Sequence, residues 1–169
     1  MGLDMYLYIR KNEYCSKYYK EEGSDLKLEF PKEASRFFPN PTNLVISRTT
    51  DYTVGYWRKA NAIHSWFLEN CAAKDPFDNP IDDCRPIEIP LEKLEELLDG
   101  CKEVLEDHSL AKKLLPTADG FFFGSVEYDK DYFDAIEDTI EIIVPVIKFM
   151  KSNIENKDCS WDVIYQASW

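Results

Sequence analysis

A chain of 169 residues with 44% apolar and 14% aromatic side chains carries enough core-forming material for one domain spanning 1–169. That excludes a disordered chain and a scaffold that needs disulfides or metal to fold. The formal net charge of −12 argues against direct nucleic-acid binding, which needs a basic surface to neutralise phosphates, and no apolar run approaches the roughly 20 residues of a membrane span.

The opening segment MGLDMYLYIRKNEY lacks a basic stretch followed by a long apolar one and a small-residue cleavage site, so it reads as a first strand rather than a signal peptide. Leu3, Met5, Leu7 and Ile9 alternate with Asp4, Tyr6, Tyr8 and Arg10, the period-two pattern of a strand with one buried face. Residues 11–43 are polar and aromatic and are broken by Pro31, Pro39 and Pro41, which predicts a long excursion with at most a short helix. Leu44–Ser47 is a candidate second strand. Residues 54–72 predict the first main helix, capped by Thr53, with Trp57, Ala60, Ile63, His64, Phe67, Leu68 and Cys71 on one side. KDPFDNPIDD is a loop by its Pro and Asp content, and Arg85–Ile89 a short strand.

Pro90 starts a second helix with Leu91, Leu94, Leu97, Leu98, Cys101 and Leu105 inward, and Ser109 is placed to cap one further turn. Thr117–Gly120 reads as a turn and Phe121–Phe123 as a short strand. A long helix is expected from about 131 to about 153, with Phe133, Ile136, Ile140, Ile143, Val144, Ile147 and Met150 inward and Pro145 kinking or dividing it. In the tail Trp161, Val163, Tyr165, Ala167 and Trp169 alternate with Asp162, Ile164, Gln166 and Ser168, which predicts a closing strand. The expected class is α+β: an antiparallel or mixed sheet that includes the N- and C-terminal strands as possible neighbours, with three main helices packed on it.

The five cysteines (Cys15, Cys71, Cys84, Cys101 and Cys159) are odd in number and none are spaced as CxxC. This favours reduced thiols in a cytoplasm over a disulfide framework or a zinc site. Asp82, Asp83 and Cys84 lack the histidine or carboxylate spacing of a metal site, and no nucleotide, dinucleotide or hydrolase motif is present, so neither a metal nor a cofactor is expected.

Charge is uneven along the chain. Residues 1–60 hold ten Lys/Arg against eight Asp/Glu, and the rest hold ten against twenty-four. The run YWRKANAIHSWF lies at the boundary. Placed in the first turns of a helix, Arg58 and Lys59 would oppose the helix dipole unless an anion sits with them, so the run is a candidate anion site. Tyr56 and Trp57 would stack on a planar ring, and Asn61 and His64 would supply polar contacts. The alternative is structural: cations paired with acidic neighbours, and a core His64 with satisfied nitrogens. In GFFFGS, Phe122 and Ser125 are candidates for the wall of a ring-binding pocket, against a buried strand bounded by turns. Trp66, on the far side of its helix, hints at a homo-oligomer interface.

MGLDMYLY, YWRKANAIHSWF, DDC before a Leu-rich helix, LLPTADGFFFGS and VIYQASW together resemble a family of small acidic proteins of phages and prophages. The resemblance spans nearly the whole chain. It implies a phage-type setting inside a bacterial cell and transfers no activity to any residue. Three readings follow. The first is a non-enzymatic binder of a small anionic, nucleotide-like ligand, in a phage setting one that sequesters a host immune signal. The second is an acidic inhibitor of a basic host protein. The third is a small hydrolase of a nucleotide or amide with His64 as general base, or as partner of Cys84.

Overall fold

The alternating segment near the N-terminus forms strand β1, Asp4–Cys15, with Met5, Leu7 and Ile9, and Leu3 just ahead of it, buried on one face. The computed structural model of the protein describes residues 2–15, 32–35, 46–153 and 159–169. The remaining elements are α1 (Lys32–Ser35), β2 (Ile46–Arg58), α2 (Asn61–Cys71), β3 (Ile87–Glu88), α3 (Leu91–Glu106), α4 (Ala111–Leu114), α5 (Lys130–Asn153) and β4 (Cys159–Ser168). A single 3-10 turn at His108–Leu110 precedes α4.

The fold is α+β. Among the described residues four strands lie in the order β2-β1-β4-β3, and all their pairings are antiparallel. The N- and C-terminal strands are neighbours at the centre, with Met5 opposite Ala167, Leu7 opposite Tyr165 and Ile9 opposite Val163. These inward side chains join one hydrophobic cluster with Phe67 of α2, Leu94, Leu97 and Cys101 of α3, and Ile136, Ile143 and Ile147 of α5. The opposite face of the sheet presents Tyr6 and Tyr56 in ring contact, and Arg10 bonds Asp51 through two nitrogens at 2.7 and 2.8 Å.

The chain departs from its local signals at several places. Val54–Arg58 does not begin a helix. Strand β2 runs through these residues in register with β1 as far as Arg58 opposite Asp4, and Thr53 sits in the ladder opposite Tyr8 rather than capping a helix. The edge of β1 offers this backbone a full set of hydrogen-bond partners, and alternation of buried Gly55 and Trp57 with exposed Val54, Tyr56 and Arg58 fits a pleated strand better than a helix. Gly55 suits the strand because a Cβ there would collide with Ile142 Cγ2 of α5. The second strand is therefore far longer than Leu44–Ser47. Leu44 and Val45 lie outside the described residues, as does most of the excursion expected over 11–43.

Phe121–Phe123 is a turn, closed by Phe123 N–H donating to the Gly120 carbonyl at 3.0 Å, and not a strand. Phe121 is 96% exposed. The run meets the sheet end-on, through Leu3 N–H donating to the Phe122 carbonyl at 3.0 Å, so no strand edge is offered to it. Asp107, not Ser109, caps the 3-10 turn, accepting from Ser109 N–H at 2.9 Å. Helix α5 is continuous through Pro145, whose ring is exposed, so loss of one solvent-side hydrogen bond does not divide it. Val144 faces outward, 43% exposed, while Val146 is buried. Trp66 is half-buried and packs edge-on against Phe67 rather than standing out from its helix.

Candidate functional site

The corner between β2 and α2 is built from three residues. Lys59 adopts a left-handed backbone with φ 60, a conformation that costs a non-glycine residue about 1 kcal/mol or more. One tertiary and one local bond hold it there: Lys59 N–H donates to the Leu3 carbonyl at 2.8 Å, and Asn61 N–H donates to the Lys59 carbonyl at 2.9 Å. Ala60, with φ −78 and ψ 67, is the centre of an inverse γ-turn. Helix α2 then starts with no side-chain cap and no acidic residue in its first turn, so none of its own side chains offsets the positive end of its dipole.

Asn61 is 4% exposed, and its polar atoms are committed to the chain. Its Nδ2 donates to the Phe123 carbonyl at 3.1 Å and to the Ser125 carbonyl at 2.7 Å, and its Oδ1 accepts from Ala118 N–H at 3.1 Å. The GFFFGS turn is thereby tied to the first residue of α2. Gly124, at φ +92, lies against the Lys59 stem, and a Cβ on it would come within 3.0 Å of Lys59 Cβ.

These elements enclose a cavity of about 350 Å³, within the size range of small-ligand sites. One wall is the corner: Arg58, Lys59 and the α2 start at Asn61–Ile63. The second is the tied loop, with Thr117, Gly124 and Ser125. The third is the approach to α5, with Glu127, Asp129, Asp131, Tyr132 and Ile136. Asp129 caps α5 by accepting from Tyr132 N–H at 3.2 Å. Tyr132 turns its hydroxyl away to the Leu115 carbonyl at 2.8 Å, so its contribution to the wall is largely apolar. Arg58 leans toward Asp4, Nε to Oδ1 3.9 Å, while Lys59 has no ion-pair partner among the described residues.

Of the eight residues singled out from sequence, Arg58, Lys59, Asn61 and Ser125 line this cavity, and Tyr56, Trp57, His64 and Phe122 do not. Tyr56 is on the far face of the sheet, its hydroxyl donating to Asp4 at 2.6 Å. Trp57 is 3% exposed and donates its indole N–H to Thr139 Oγ1 at 2.9 Å. The acidic wall was not singled out from sequence, because in so acidic a chain one more carboxylate carries no signal. Its one local mark is Asp129, three residues before the first apolar residue of a periodic run, a capping position.

His64 occupies a second place. It is 1% exposed, its Nδ1 lies 2.7 Å from the Tyr165 hydroxyl and its Nε2 lies 3.2 Å from Asp82 Oδ2. Burial pushes the Tyr165 phenol well above its ordinary range, so Tyr165 stays protonated and can donate to Nδ1, leaving Nε2–H to donate to Asp82. Burial lowers the imidazole from its ordinary 6.5, with Asp82 pulling it the other way. Both nitrogens are thus engaged within the chain. Asp82, Cys84 and Tyr165 border a space of only about 10 Å³ here, room for one water at most. Cys84 has a left-handed φ of 62. Burial raises the Cys71 and Cys101 thiols to about 11 and about 12, so both are uncharged at neutral pH. Among the described residues no three His, Cys, Asp or Glu side chains are grouped to hold a metal ion, and no helix is long and apolar enough to cross a membrane.

Comparison with family models, with curated proteins and with solved structures finds no match for this chain.

Proposed function

We propose that this protein is a non-enzymatic binder of a small anionic, nucleotide-like ligand, held in the cavity at the β2–α2 corner. The observation that carries the reading is the convergence of Lys59 and the uncapped first turn of α2 on one cavity of about 350 Å³, with Arg58 at its edge. An ammonium and the N–H groups of a helix start are donors that phosphate or carboxylate recruits. Tyr132 and Ile136 supply the apolar wall for the rest of the ligand, the part that Tyr56, Trp57 and Phe122 were expected to play. In the phage setting that the sequence resembles, such a protein would sequester a nucleotide signal of host defence.

Calorimetry against linear and cyclic nucleotides tests this, with the Arg58→Ala/Lys59→Ala double variant as control and chromatography of the recovered ligand. Binding that the double variant loses, with the ligand returned unchanged, is expected. Absence of binding to every member of the panel removes the reading, and conversion of the ligand moves it to an enzyme.

A second reading has its own observation. Phe77 and Phe121 are 85% and 96% exposed on a chain of net charge −12, and protruding aromatics beside acidic surface suit an inhibitor of a basic host protein. Capture of a host protein that weakens with salt, survives Arg58→Ala and is lost in Phe77→Ala/Phe121→Ala would favour it.

A further inference from the structure

We infer that the ligand of this cavity is a zwitterion, with an anionic group at the Lys59 corner and a protonated amine at the carboxylate wall. The inference rests on the anion-binding reading above and replaces its nucleotide-like ligand with one that also carries an ammonium.

The cavity has two charged walls of opposite sign. Lys59 and the start of α2 form the positive side, while the Arg58 side chain leaves on the open face of the sheet toward Asp4; Glu127, Asp129 and Asp131 form the negative side at the start of α5. None of the ion pairs between described side chains joins one wall to the other. The only described carboxylate within ion-pair reach of Arg58 is Asp4, across the strands and outside the cavity, at 3.9 Å. The fold holds the walls apart: Lys59 is pinned at its left-handed φ of 60 with its stem along Gly124, and Asn61 fixes the intervening turn. Opposite charges that face one space without neutralising each other are complementary to a bipolar molecule. A simple anion would meet the corner favourably and the three carboxylates unfavourably. A simple cation would meet the reverse, together with the positive end of α2. A molecule with an anionic head and an ammonium several bonds away satisfies both walls and leaves Tyr132 and Ile136 to cover its apolar middle.

The three carboxylates are not equivalent. Asp129 caps α5 and is needed for the fold. Glu127 uses its backbone N–H on Ser125 Oγ, 3.1 Å, and neither Glu127 nor Asp131 has a side-chain ion pair with a Lys or Arg among the described residues. These two are assigned to the amine.

The test measures affinity by calorimetry for 2-aminoethyl, 4-aminobutyl and 6-aminohexyl phosphate, each against the alkyl phosphate of equal length, alongside the nucleotide panel. The aminoalkyl phosphate is expected to bind at least about tenfold more tightly at its best length, a difference typical of one well-placed charge pair. Glu127→Gln/Asp131→Asn is expected to erase that preference while leaving alkyl phosphate binding equal or stronger, with an unchanged circular dichroism spectrum and a melt lowered only slightly, by loss of the Asp131 charge at the start of α5. Arg58→Ala/Lys59→Ala is expected to weaken both ligand series. Equal affinity for the two series, or a preference that survives Glu127→Gln/Asp131→Asn, overturns the zwitterion and leaves anion binding standing. No binding by either series or by any nucleotide removes both.

Discussion

Replacing Asn61 by Ala probes how the cavity is held open. The side chain is almost fully buried and makes three hydrogen bonds to backbone groups of the 118–125 loop. Each such bond contributes about 1 kcal/mol net, and a partner left buried without water costs more. The loop residues Gly120 and Phe123 are half-buried while Gly124 and Ser125 are exposed, so water reaches part of the vacated site. A loss of about 3 kcal/mol follows, which lowers Tm by roughly 6–12 °C for a chain of this size. Urea unfolding followed by circular dichroism measures the energy, and amide exchange at Ala118, whose N–H the Asn61 carboxamide accepts, reports the loop directly. Asn61→Asp should fare no better than Ala, because it turns two donors into acceptors facing the Phe123 and Ser125 carbonyls. A loss under about 1 kcal/mol with Ala118 exchange unchanged would refute the reasoning and show that the loop is held by its other contacts.

Three further outcomes are expected. Because burial lowers His64 from its ordinary 6.5, the unfolded state takes up the proton first on acidification; the stability His64 contributes is whole above 6.5, erodes as pH falls below it, and levels off beneath the folded value. An NMR titration of the His64 ring should give a midpoint below 6.5, lower still in Asp82→Asn because Asp82 raises it; a midpoint above 6.5 would mean that the carboxylate outweighs burial. Gly55→Ala drives a methyl into Ile142 Cγ2 and should cost about 1–3 kcal/mol in thermal melts, with Gly55→Ala/Ile142→Ala less destabilised than the sum of its parts. Gly124→Ala forces a side chain onto a φ of +92 against Lys59 Cβ; a destabilisation of about 1–2 kcal/mol should accompany weaker phosphate binding, and unaltered binding would detach the Lys59 position from the site.

The strands β1 and β4 are legible because alternation runs over eight residues from Leu3 and over nine from Trp161, and the helices α3 and α5 because a 3.6-residue pattern repeats over several turns; a buried face is written locally in that period. VGYWR is where the period misleads. Trp57, Ala60, Ile63 and Phe67 also match a helical spacing, and only the free edge of β1 decides that the first part is strand and that the helix waits for Asn61. Phe121–Phe123 fails for the converse reason: β-favouring residues with no edge to join become a turn.

The sequence by itself determined the class, the core faces and the concentration of polar and cationic residues between Tyr56 and His64. Tertiary structure decided how that run divides: Arg58 and Lys59 to a cavity, Tyr56 to the open face, Trp57 and His64 to the core. The partners that make this division lie far along the chain. Asn61 reaches loop carbonyls 62 and 64 residues away, and His64 reaches Asp82 and Tyr165 at separations of 18 and 101. Periodicity records which side of an element is buried, whereas the identity of a hydrogen-bond partner depends on which segments the sheet and helices bring together.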